Sequence, residues 1–101
     1  MSQNDSKLFN AAASNDLKGI LDAFRQGAAV DRQRNANGDT ALIAAAYRDS
    51  PNVVLSLLGL GADPSLTNSR QETARDIARG ESAGVLERAR SMAALEAERD
   101  Q

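Results

Sequence analysis

The chain has 101 residues, which is one domain, with 12 basic and 14 acidic side chains and a formal net charge of −2, so no strong field points to DNA or to an acidic membrane. It has no Cys and no His, which removes disulfides, thiolate metal sites, a thiol nucleophile and the commonest general base. Of the 42% of residues that are apolar, 19 are Ala and three are aromatic, a composition suited to thin helical layers stacked on one another.

The predicted elements run in chain order as follows. Ser6 caps a first helix with Leu8, Ala11 and Ala12 inward. Asn15 occupies the interhelix turn, where Asn tolerates the left-handed conformation. The second helix carries Ile20, Leu21 and Phe24 as packing residues, and Gly27 stops it. Arg32, Gln33 and Arg34 form a small basic cluster, read as a solvated loop because Asp31 and Asp39 flank it and no stacking aromatics accompany it. Asn35-Ala36-Asn37-Gly38 then reads as a tight turn without the β-branched flanks of a true hairpin.

Thr40 caps a helix running to about Arg48, with Leu42, Ala45 and Ala46 inward. Asp49-Ser50-Pro51 breaks it, and Ser50 caps the next helix with Pro51 in its first turn, where the missing N–H costs nothing. That helix extends to about Leu60 with Val54, Leu57 and Leu58 on one face, and Gly61 closes it in a left-handed C-terminal turn. A loop covers residues 62 to about 72. Thr73 caps a further helix with Ala74, Ile77 and Ala78 inward, followed by Gly80 and Ser82. The last helix starts at about Ala83 and is heavily charged, which suits the polar outer face that a stacked array needs. A tail reserved for a partner is the competing reading of that helix.

These elements repeat. A shift of 34 positions superposes Leu8 on Leu42, Ala11-Ala12 on Ala45-Ala46, Leu21 on Leu55 and Gly27-Ala28 on Gly61-Ala62. At a shift of 33, Thr40-Ala41 falls on Thr73-Ala74, and at 32 Val53-Val54 falls on Val85-Leu86. Two clear repeats and a degenerate third result.

The middle copy resembles the ankyrin-repeat family. Gly38-Asp39-Thr40-Ala41-Leu42-Ile43-Ala44-Ala45, Asn52-Val53-Val54 and Leu57-Leu58-Gly59-Leu60-Gly61-Ala62-Asp63 are similar to its G-x-T-P-L-H-x-A, E-V-V and L-L-x-x-G-A-D segments. The family's Pro is Ala41 here and its His is Ile43. Its interhelix Gly is Asn15 or Asp49, and the third copy carries Gln71 and Arg75 at the turn Gly and core Leu. The resemblance implies an all-α solenoid of stacked helix-turn-helix pairs, a single domain over 1–101 with repeats at about 6–34, 35–67 and 68–98.

It also implies a non-catalytic module that binds a protein through turn tips and the concave helix face. The positions free to specify a partner are then Ala36, Asn37, Asp39, Tyr47, Arg48, Ser69, Arg70 and Glu72, with Ala13 and Ser14 in the first copy. Tyr47 and Arg48 are of types enriched at binding hot spots; Tyr47 reads equally as cover for a neighbouring loop. Two alternatives are an inhibitor or immunity protein restraining an enzyme or toxin, and a structural protein self-associating through Leu55, Leu60 or the final helix.

Catalysis is not expected. Every carboxylate is placed at a cap, in a loop or on an exposed helix face, with no pocket to raise a pKa, and Gly59-Leu60-Gly61 closes a helix instead of opening a phosphate loop. A monomeric, cytoplasmic protein, of bacterial type from its Ala- and Arg-rich make-up, with no cofactor, metal, nucleic-acid or membrane partner, is the expectation. The start lacks a basic and apolar leader, and no apolar run approaches the roughly 20 residues of a membrane span.

Overall fold

A computed structural model describes residues 3–88. Five helices, α1 (Gln3–Ala13), α2 (Leu17–Arg25), α3 (Ala41–Tyr47), α4 (Pro51–Gly59) and α5 (Ala74–Ile77), are followed by helical residues 80–88 (α6), and there is no strand among the described residues. The helices form two layers: α1, α3 and α5 side by side as the inner one, and α2 and α4 behind them as the outer one. Helix α1 packs on α2 and α3, and α3 on α4 and α5, while α2 touches α4. The predicted charge of the last helix beyond Arg88 lies outside the described residues.

Helix α3 is the centre of the stack. Ala41 through Ala46 are all buried, because α1, α5 and α4 surround it on three sides. Four of those six residues are Ala, and short side chains let neighbouring axes approach closely. The larger buried residues Leu8, Ile20, Leu42, Ile43, Val53, Val54 and Leu57 close the space between the layers, each contributing roughly 1.5–3 kcal/mol through removal from water.

One device ends four helices. The N–H groups of Asp16, Ala28, Ser50 and Ala62 each reach back five residues, to the carbonyls of Ala11, Ala23, Ala45 and Leu57. The residue before each, Asn15 (φ 57°), Gly27 (φ 100°), Asp49 (φ 51°) and Gly61 (φ 100°), is left-handed, which is the paired-bond termination that satisfies the last carbonyls. Starts are equally specified. Thr40 Oγ1 accepts from Ile43 N–H at 3.2 Å, Asp16 Oδ1 from Gly19 N–H at 3.0 Å, and Thr73 and Asp76 exchange bonds in a capping box.

Several expectations are corrected. Ser6 is not a cap: α1 is already helical at Gln3, and the Ser6 hydroxyl, inside it, donates to Gln33 Oε1. Ser50 holds the cap position of α4 but makes no side-chain cap bond, leaving Pro51 to set the first turn. Helix α6 begins at residue 80, not about 83. Leu21 and Phe24 are 42% and 39% exposed, and Leu58 is only half-buried. In α2 the inward positions are Ile20 and Ala23, and in α4 Val53, Val54 and Leu57, so the packed face is rotated from the expected one. Finally, Asp5 is fully buried, its carboxylate accepting from Ala29 N–H at 2.7 Å and lying 3.5 Å from Arg32 Nη1.

Candidate binding surface

Two turns project beyond the helix layers, and each is built by one asparagine. Asn35 Oδ1 accepts from the N–H groups of Asn37 and Asp39, at 2.9 and 3.0 Å. Asn68 Oδ1 accepts from those of Arg70 and Glu72, at 2.9 and 3.0 Å. The backbone closes around both in the same way, with Gly38 N–H to Asn35 O and Gln71 N–H to Asn68 O. Gly38 (φ 77°) and Gln71 (φ 61°) are therefore left-handed at equivalent places. At Gly38 a Cβ would lie 2.9 Å from Ser69 N, so glycine is required there and not at Gln71.

The turns are locked together. Ser69 N–H donates to Asn37 O at 3.0 Å, and Arg34 Nη1 donates to Gly38 O and Thr67 O. A side-chain ladder runs alongside. The Asn35 amide donates to Asp39 Oδ2, while the Asn68 amide donates to Asp39 Oδ1 and to Glu72 Oε1, all within 3.1 Å. Asp31 Oδ2 makes another link, accepting from Asp63 N–H at 3.0 Å.

This divides the ten expected partner residues, of which Ala13 is half-buried against the core. Asp39 and Glu72 are half-buried in the ladder, and the backbones of Asn37 and Ser69 form the rung between turns. Ala36 and Arg70 remain exposed at the tips, and among the described residues Arg70 uses only its backbone N–H internally. Tyr47, 71% exposed, and Arg48 lie at the C-terminal end of α3, away from the turn at its start. Ser14, exposed, follows α1 in the position equivalent to Arg48 and borders an open groove of about 500 Å³ between α1 and α2. The cluster of Arg32 and Arg34 is not simply solvated, since both guanidiniums are engaged. Sequence reasoning missed Asn35, Asn68 and Asp49 as organisers; the 33-residue spacing of the two asparagines is the signal that finds them.

Three carboxyls are shifted. Burial pushes Asp31 up, reinforced by the nearby Asp63 and opposed by the Asp63 N–H bond and Arg34; its Oδ1 is buried with no partner among the described residues. The Ser65 hydroxyl and N–H hold Asp63 down, and the Thr73 N–H and hydroxyl hold Asp76 down. None of the three stands in an enclosed cleft with a second titratable group and a nucleophile. No helix among the described residues is long and apolar enough to cross a membrane.

The family model described as "Ankyrin repeats (many copies)" matches residues 21–78. Among solved structures, the chain is similar to the crystal structure of the ankyrin repeat domain of Bcl-3, "a unique member of the IkappaB protein family". The TM-score is 0.73 and the identity 30%, over 79% of this chain and 35% of that one. The chain thus spans about a third of the length of that structure. Ankyrin repeats are generally protein–protein interaction modules, and helix pairs stacked in two layers, ended by repeated left-handed turns, are their architecture here. The chain belongs to the ankyrin-repeat family.

Proposed function

We propose that this chain is a non-catalytic protein-binding module, acting as a cytoplasmic monomer, whose partner is read by Tyr47 and Arg48 together with Ser14, Ala36 and Arg70 at the exposed edge of the inner layer. Asn37, Asp39, Ser69 and Glu72 hold the turns in place and contribute the outer atoms of their side chains. The single observation that carries this reading is the exposure of Tyr47, at 71% the most open large apolar side chain described, beside an arginine that pairs with no described residue, on a fixed helix end. Such a side chain gives up little conformational entropy on binding and offers a large area. The test is capture of partners from the source cell by the wild-type chain and by Tyr47→Ala and Arg48→Ala. A specific partner should be lost on either substitution while each variant melts as the parent does. A partner that binds both variants undiminished overturns the site.

A second reading rests on a different observation. Leu21, Phe24 and Leu55 are exposed on the outer layer, with Leu21 and Leu55 at equivalent positions of touching helices, and such a stripe suits self-association. Sedimentation over a concentration series separates it from a monomeric binder.

A further inference from the structure

Among the described residues, the fold engages most of its carboxylates and leaves several of its cations free. Asp5, Asp16, Asp31, Asp39, Asp49, Asp63, Glu72 and Asp76 all accept hydrogen bonds from the chain's own N–H or amide groups. Glu87 pairs with Arg75. Among the basic groups, Arg32, Arg34 and Arg75 are engaged, whereas the side chains of Arg48 and Arg79 make no hydrogen bond or ion pair with any described residue. The formal charge of −2 therefore conceals arginines still open to a partner.

Two of these arginines are brought together by one contact. The Asp49 carboxylate accepts from Ser82 N–H at 3.2 Å. It also presses against Gly80 so closely that a Cβ there would collide with it. Arg48 precedes Asp49 and Arg79 precedes Gly80. With about 3.8 Å per residue step, the two arginine Cα atoms lie at most about 15 Å apart, a span covered by roughly four residues of extended chain. Tyr47 adjoins them. The carboxylate between them is bonded to a helix start, whose N–H groups offset its charge, and Glu81 is the exposed acid beside them.

Resting on the protein-binding reading above, we infer that Tyr47, Arg48 and Arg79 form a docking site for an acidic protein segment in extended conformation, with two carboxylates about four residues apart. Each guanidinium takes one carboxylate through paired N–H bonds, and the tyrosine ring covers the intervening backbone. A polynucleotide needs a longer run of cations than these two arginines supply, and the net charge of the chain is −2.

The experiment uses the full chain and a fluorescein-labelled peptide with two glutamates four residues apart. Its glutamine counterpart and a ten-nucleotide thymidine oligomer serve as controls. The acidic peptide should bind and the two controls should not. Charge reversal at both Arg48 and Arg79 should weaken binding at least about tenfold, whereas Lys18→Glu with Arg25→Glu on the outer layer should leave it unchanged. Glu81→Gln should tighten binding about two- to threefold, a gain that damage to the fold cannot produce. Equal binding of the oligomer, equal binding of the glutamine peptide, or loss on the outer-layer variant each overturns the inference. If partner capture still depends on Tyr47 while the acidic peptide fails, the protein-binding site survives and only its acid preference falls.

Discussion

The Asn68 amide donates to Asp39 Oδ1 at 3.0 Å, joining the two projecting turns through a side chain that is itself buried. Its carbonyl oxygen meanwhile accepts both N–H groups of its own turn, and the same amide reaches Glu72. Asn68→Ala strands all of these groups at once, so it should cost about 2–4 kcal/mol in denaturant unfolding, above the usual value for a single bond. Asn68→Asp should keep the turn but set a third carboxylate between Asp39 and Glu72, with a deficit that shrinks as the pH falls. A near-neutral Asn68→Ala would show that the ladder is ornamental.

Much of the fold was legible because repetition exposed it. Thr40, Thr73, Pro51, Gly27 and Gly61 stand at the ends expected of them, and Asn15 is left-handed as its place in the turn implied. What escaped was rotation and long-range bonding. In α2, nine residues allow two candidate faces, and the small Ala23 turned inward while Phe24 stayed half open. Asp5 escaped because its partners, Ala29 and Arg32, lie far along the chain, and a buried carboxylate has no local signature. At the candidate site, residue types identified the tips but could not show that Asp39 and Glu72 bind Asn68 instead of a partner.

Neighbouring leucines of α4 separate packing from exposure. Leu57 is fully buried and Leu58 only half so. Leu57→Ala should lose about 2–5 kcal/mol by leaving a cavity between the layers, and Leu58→Ala under about 2 kcal/mol. Equal losses in urea titrations would place the packed face where the sequence alone had put it.

Asp31 and Asp76 should give opposite pH signatures. Burial raises Asp31 above its ordinary 3.8, so the folded state holds that proton more tightly than the unfolded one. Its contribution is fully present below 3.8 and is lost as pH rises through the higher folded value. Asp31→Asn keeps an acceptor for Asp63 N–H without the charge and should raise Tm at pH 7, with the difference closing near the acid end. Bonds from Thr73 lower Asp76, so its contribution is present above 3.8 and disappears as pH falls through the folded value. Asp76→Asn should therefore lower Tm at pH 7 and converge on the parent in acid. A Tm difference that does not vary with pH in either variant would contradict the assigned causes.

The two interhelix turns carry the same backbone strain for different reasons. Asn15 and Asp49 are both left-handed, at φ 57° and 51°. The Asn15 side chain makes no hydrogen bond with any described residue, whereas Asp49 Oδ1 accepts from Ser82 N–H and so ties α6 to the middle repeat. Glycine adopts the left-handed conformation without steric cost but gains entropy when unfolded. Asn15→Gly should then change stability by less than about 0.5 kcal/mol, as relief of strain offsets that entropy. Asp49→Gly gains the same relief but removes the bond to the last helix, so it should destabilise by about 1–2 kcal/mol. Amide hydrogen exchange localises the effect: in Asp49→Gly the loss of protection should concentrate in residues 80–88, with α1 and α2 unchanged. Uniform loss across the stack would mean that the third helix pair unfolds together with the first two, and that Asp49 is not its specific tether.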